Sequence, residues 1–178
     1  ELWRIGDSPP APKFNVVSKP NDWTRSVAQA ASRMELTPTR QMHLGFWTEF
    51  RNFVLAQDTP ISPTKPLPQN WMSVAIGRAG FTLSAVTSTY NSELETWDSH
   101  EVRVDLAIGG ERSNEYLDLL RRDKEAIEDE IDSGLTWQRG DGDAATKIYV
   151  RRNANLHDEE TWPELHSWLL SRLEEFDR

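Results

Sequence analysis

Cysteine is absent from all 178 residues, which excludes a disulfide framework, a thiol nucleophile and every Cys-based zinc site together and suits a reducing cytoplasm. Long hydrophobic runs are absent as well. No stretch approaches the roughly 18–20 continuous apolar residues of a membrane span, and no basic segment leads into an apolar one as a secretory leader would. The expected address is cytoplasmic, with no membrane partner. Positive charge is scarce: 20 Lys and Arg stand against 29 Asp and Glu, a net charge of −9, so non-specific grip on a phosphate backbone is not the main work of the chain. That charge is unevenly spread. Residues 1–65 carry eight basic against six acidic side chains and residues 66–178 carry twelve against twenty-three, which confines any expected contact with DNA or RNA to the first third.

Motifs for common chemistries are missing too. There is no Gly-rich phosphate loop, nucleophile elbow or zinc ligand set. His43, His100, His157 and His166 are the only histidines, and none pairs with another at the i, i+3 or i, i+4 spacing of a helical metal site. Each is expected to be structural or to lie on the surface. A metal-dependent nuclease needs paired carboxylates and a lysine on neighbouring strand positions, but Lys147 has no acidic residue two positions before it. No catalytic residue, metal ligand or cofactor is assigned.

What remains is a chain of ordinary water-soluble composition, 28% charged and 37% hydrophobic, and of a length suited to one domain of about 100–200 residues plus an arm. Residues 1–36 read as that arm, with a short helix, and residues 37–178 as a single domain. The opening run Glu1-Leu2-Trp3-Arg4-Ile5 alternates like a strand and has no initiator Met, which predicts that the sequence opens inside a strand of something larger. Between Gly6 and Pro20 four prolines predict an extended linker. Asn21 can cap a short helix on which Trp23, Val27, Ala30, Ala31 and Met34 share a face.

Thr37 before Pro38 predicts the start of a longer helix, with Phe46, Trp47, Phe50, Phe53 and Val54 as its buried stripe. Pro60, Pro63, Pro66 and Pro68 then forbid both a helix and a central strand. From Trp71 the period drops to two. Strands are expected over Trp71–Ile76, Phe81–Tyr90 and Glu101–Ile108, with Gly77 and Gly80 serving the first hairpin. Ser113 can cap a helix over Asn114–Asp132, with its charged face solvated. Strands near Leu135–Gln138 and Thr146–Arg152 flank the turn Gly140–Asp143, which lacks calcium-loop spacing. Thr161 and Glu164 form the sequence of a capping box ahead of a last helix. The predicted architecture is α+β, a five-stranded antiparallel sheet with helices packed on one face, in the order α-α-β-β-β-α-β-β-α.

Several stretches also carry a resemblance. Phe46-Trp47 with Phe50, Gly77-Arg78 followed by Gly80-Phe81, Ile127-Glu128 leading to Leu135 and Trp137, and Trp162 with Trp168-Leu169 resemble a bacterial and archaeal family, domain of unknown function 4268. The resemblance runs over about Thr37 to Phe176. The preceding arm is similar to the stretch that joins this domain, in longer members, to an upstream nuclease-like domain of the PD-(D/E)XK type. The resemblance then implies that catalytic carboxylates lie outside this chain, and the family offers no assigned catalytic residues to carry over.

The expected function is therefore that of a non-catalytic C-terminal module, positioning nucleic acid or a partner for a nuclease-like protein, with defence against foreign DNA as its setting. Arg25, Arg33, Arg40 and Arg78 are the candidate nucleic-acid contacts. The alternative is a protein-interaction or homodimerisation module that exposes some of the eight tryptophans. A third reading assembles an unfamiliar active site from Arg78, Glu101, Arg103 and Asp105 on the sheet face.

Overall fold

The computed structural model describes residues 2–3 and 11–12 by their backbone, and residues 36–97, 99–131, 134–141 and 144–178 in full. The expected helix after Asn21 and most of the proline-rich arm lie outside the described residues. The chain divides into two compact units, Glu1–Leu36 and Thr37–Arg178. In the first, β1 (Leu2–Trp3) pairs antiparallel with β2 (Ala11–Pro12).

The second unit begins with α1 (Pro38–Leu55), whose N-cap Thr37 accepts a hydrogen bond from the Arg40 amide. It continues with β3 (Trp71–Val74), β4 (Phe81–Ser88) and β5 (His100–Ile108). Next come α2 (Ser113–Leu120), α3 (Lys124–Ile131), β6 (Thr136–Gln138), β7 (Thr146–Ala154) and α4 (Trp162–Phe176). The five strands form one antiparallel sheet in the order β3-β4-β5-β7-β6.

Because side chains alternate along a strand, the register sorts the sheet into two faces. Met72, Leu83, Ala85, Val104, Ile148 and Val150 share one of them with the helices, and all are buried. Against that layer lie the α4 residues Leu165, Leu169 and Leu173, and beyond them the α1 aromatics Phe46, Trp47 and Phe50, none more than 4% exposed. Both indoles buried among the described residues find an acceptor. Trp47 Nε1 donates to the Gln69 carbonyl at 2.8 Å and Trp162 Nε1 to the Leu156 carbonyl at 3.1 Å, which spares the desolvation cost of an unmade bond. The proline-rich connection lies along the sheet edge, where Pro63 bridges Val74 and the Thr64 amide donates to Ser73.

Two helix starts differ from what their local signals predict. The expected single helix over Asn114–Asp132 is two helices, separated by a 3-10 turn at Arg121–Asp123 whose residues bury nothing that would hold an α-helical register. Ser113 does not cap it. Its hydroxyl instead accepts from Thr146 across to β7. The Thr161–Glu164 capping box does not form either. A 3-10 turn at Glu159–Thr161 already gives Thr161 helical angles, and its hydroxyl turns back to donate to the Asp158 carbonyl at 2.7 Å. Glu164 pairs with Arg152 instead. The glycines of the first hairpin adopt the left-handed angles expected of them, φ +66° at Gly77 and +84° at Gly80.

The second sheet face is polar yet largely buried. Arg103 sits between two carboxylates, 2.8 Å from Glu101 and 3.2 Å from Asp105, and Lys147 reaches Asp105 at 3.4 Å. The guanidinium of Arg103, the Lys147 ammonium and Arg151 surround the Tyr149 ring at 4.8–5.9 Å. Glu101, 1% exposed, also accepts the amide and hydroxyl of Ser92. Fully buried Asn91 donates to Asn153 at 2.7 Å and accepts the amides of Glu93 and Leu94. This network fastens the loop between β4 and β5 to the sheet.

Two predictions follow from these interior polar groups. His166 is buried among the rings of Phe46, Phe50 and Phe53. That burial pushes its pKa down to about 4, partly offset by a hydrogen bond with the Phe46 backbone. Below its ordinary value of 6.5 the unfolded chain binds a proton here that the folded chain refuses. Stability is thus full above that pH and falls toward pH 4, by roughly 2–3 kcal/mol near the lower end. Urea unfolding across this window should show the loss in the wild type and lack that component in His166→Leu; identical pH slopes would overturn the assignment. Asn91→Ala strands Asn153 and two loop amides and should cost about 2 kcal/mol. Limited chymotrypsin digestion should then cut faster within residues 90–99, and an unchanged cutting rate would show that the loop holds itself.

Candidate functional site

A cleft of about 580 Å³ opens at the end of the sheet where α1 begins. Three segments wall it. The first turn of α1 supplies Thr37, Thr39, Arg40 and His43, the end of the proline-rich connection supplies Pro68 to Trp71, and the end of β4 supplies Thr87 to Tyr90, with Trp97 from the following loop. Hydrogen bonds to backbone carbonyls set the spacing of the walls. The Gln69 carbonyl is held by Trp47, and the Asn70 carbonyl accepts the Thr87 amide at 2.8 Å. Ser88 braces the third wall by donating to the Tyr90 carbonyl at 2.7 Å and accepting the Tyr90 amide at 3.1 Å.

The lining combines three chemistries. Aromatic faces come from Trp97, 71% exposed, Trp71, 46% exposed, and Tyr90, whose ring centroid lies 4.8 Å from that of Trp97. Positive charge comes from Arg40 in the first turn of α1, where the helix dipole adds partial positive charge; Arg40 makes no salt bridge among the described residues. Neutral polar groups come from Thr37, Thr39, Gln69, Asn70, Thr87, Ser88 and Thr89. Among the described residues no carboxylate lines the cleft, although the chain carries 29 of them. His43, 7% exposed, forms part of the wall, and its Nε2 has no hydrogen-bond partner. Burial, and then the neighbouring His100, hold its pKa below the ordinary value, so the ring is neutral at pH 7.

Of the four arginines singled out from the sequence, Arg40 lines this cleft. Arg78 does not: it sits at the β3–β4 turn with its guanidinium over the Phe81 ring at 5.5 Å, beside the opposite end of the sheet, since Phe81 pairs with Ile108 and Ser88 with Glu101. Arg25 and Arg33 lie outside the described residues. Glu101, Arg103 and Asp105 do come together, but their charges are spent on one another, and Arg78 lies in the turn before β4, six residues before Ser84, the register partner of Asp105. The fold also juxtaposes histidines that sequence spacing kept apart, His100 and His157 with ring centroids 4.8 Å apart. Even so, among the described residues no group of three or more His, Asp or Glu is placed to hold a metal ion. No described helix is long and apolar enough to cross a membrane.

Trp71, Tyr90, Trp97 and His43 were not identified from the sequence as site residues. A signal existed for one of them. Trp97 stands in Ser-Glu-Leu-Glu-Thr-Trp-Asp-Ser, where too few apolar neighbours at period two or 3.6 exist to make a buried stripe.

No curated protein and no solved structure matches the chain. The model of one family matches it from Met42 to Arg178, all of the sheet, all of α2 to α4 and most of α1. On that match the chain belongs to the family described as domain of unknown function DUF4268.

Proposed function

We propose that this domain is a non-catalytic binding module whose cleft receives a nucleic-acid strand, positioning it for a nuclease-like domain upstream. The observation that carries the reading is the lining of the cleft: exposed aromatic faces beside an arginine that makes no salt bridge among the described residues, with no carboxylate among the described lining residues. Aromatic side chains stack on bases of any sequence, each stack being worth about 1–3 kcal/mol, and a cation beside them tracks the phosphates. Bases of a single strand offer their faces; those of a duplex do not. With a net charge of −9, long-range attraction gives no help, so affinity must come from this local set and from the basic first third. The link to a nuclease-like partner domain is supported by the likeness of the arm to the joining stretch of longer proteins.

A second reading, a protein-interaction module, is favoured by Leu94, 57% exposed on the same braced loop as Trp97. Fluorescence anisotropy with labelled single-stranded and duplex DNA and RNA, at low and physiological salt, separates the two. The nucleic-acid reading expects single strands to bind more tightly than duplexes. Trp97→Ala should weaken binding by roughly 5- to 150-fold, the equivalent of one lost stack, and Arg40→Ala should flatten the salt slope by about 0.7, one phosphate on a single strand. Absence of binding even at low salt would overturn it in favour of protein partners, as would binding indifferent to both substitutions.

A further inference from the structure

We propose that His100 is a proton-operated latch, whose neutral ring holds the turn between β7 and α4 against the sheet and whose protonation releases that turn. The inference stands apart from the nucleic-acid reading, because it uses only groups that the chain itself supplies.

The anchor of the turn is a side chain from another strand. Leu156, 1% exposed, lies two residues beyond the end of β7, and its amide donates to His100 Nδ1 at 3.2 Å, across 56 residues of chain. An N–H donates to Nδ1 only while that nitrogen keeps its lone pair, so the ring is neutral and carries its proton on Nε2. The imidazolium has N–H groups at both positions. Protonation therefore sets donor against donor, and the bond to Leu156 is lost. Leu156 also holds α4, since its carbonyl accepts the Trp162 indole at 3.1 Å. The latch is one residue wide, with the sheet on its amide side and α4 on its carbonyl side. The remaining bonds of the turn, from the amides of His157 and Asp158 to Asn155, are internal to it and move with it.

The surroundings of His100 oppose a positive charge. From the turn, the His157 ring stands edge-on to it, with centroids 4.8 Å apart. From α1, His43 lies close enough for His100 to help hold its pKa down. On β7, Arg152 shares the helix-packed face, opposite Val102, and is already paired with Glu164. Glu101, next along β5, belongs to the other face and is taken by Arg103 and Ser92. Asp158, beside His157, accepts the Glu160 amide. Among the described residues no carboxylate pairs with either ring. Partial burial first, and His157 second, hold the pKa of His100 below its ordinary value of 6.5. The closed turn thus refuses a proton that the open turn accepts, so the latch is fully shut above that pH and weakens below it.

Amide hydrogen exchange of the full chain, followed by NMR from about pH 7.5 to 5, separates the latch from global unfolding. Protection of the Leu156 amide, corrected for the intrinsic rate, should fall below pH 6.5 by up to about tenfold per unit, the response to one proton. It should level off where the His100 Hε1 resonance titrates, while Val104 and Val150 in the central strands stay protected. His157→Ala should raise the pKa of His100 and make the fall level off at higher pH. His100→Asn places a carbonyl near the Nδ1 position and does not titrate, so it should keep Leu156 protected and flatten the response. Leu156 protection that ignores pH, or that falls only in step with Val104 and Val150, would overturn the latch, as would an unchanged pH response in His100→Asn. Where that variant fails to fold, the wild type decides: a plateau unrelated to the Hε1 titration of His100 also overturns the proposal.

Discussion

Trp47 has no exposed surface and carries a single polar atom, the indole N–H, which must be bonded inside the protein. Its acceptor is the Gln69 carbonyl, 22 residues along the chain. That one bond joins the aromatic stripe of α1 to the end of a connection that prolines keep out of regular structure. Because Asn70 then accepts the amide of Thr87, the same point ties the connection to β4. The core requirement that the indole be satisfied thus brings together the three segments that wall the cleft. Packing and site are consequences of a single constraint.

The loop bearing Trp97 is held by a different device. A polar sheet face buried without partners would be costly, since each unbonded donor or acceptor loses its hydration. Here the groups satisfy one another: Glu101 takes Ser92 and Arg103, Asp105 takes Arg103 and Lys147, and Asn91 uses both ends of its amide. The loop that results is fastened from beneath and can leave apolar side chains in solvent without collapsing onto them. Glu95, at φ +50°, is the one described non-glycine residue with positive φ, and it lies in this loop two residues before Trp97. Such an angle persists where surrounding contacts over-determine the backbone.

Much of the fold was legible because its signals are periodic. Alternation in Val102, Val104, Leu106 and Ile108 marked β5, and the spacing of Phe46, Phe50 and Val54 marked the buried side of α1. What failed was local. Nothing in Arg121-Arg122-Asp123 announces a 3-10 turn, since no proline or glycine stands there, and the hydroxyls of Ser113 and Thr161 found partners that only tertiary structure supplies. The site was legible in one residue, Arg40. Its aromatics were not, because a tryptophan buried in a core and one exposed at a cleft have the same letter: Trp47 is fully buried and Trp97 is 71% exposed. The polar network was half visible, as two carboxylates flanking Arg103, but its burial depends on the β4–β5 loop folding over Glu101, which no pattern within β5 encodes.

The acidic balance of the chain sets a physical test for any anion in this cleft, and geometry decides it. Of the charged helices, α2 begins at the end of the sheet where Phe81 meets Tyr116, and α3 lies at the β6 side, where Glu128 accepts the Trp137 indole. The cleft begins at Thr87, six residues farther along β4, or about 20 Å at the rise of an extended strand. Charges in solvent are screened over about 8 Å at physiological ionic strength, so that acidic surface contributes little at the cleft. The carboxylates of the Trp97 loop are nearer, but Glu93 is paired with Arg151 at 3.8 Å, and Arg40 together with the α1 dipole acts at contact range, where screening is weakest. Among the described lining residues the cleft therefore carries one formal charge, the positive one of Arg40, in a chain whose net charge is −9.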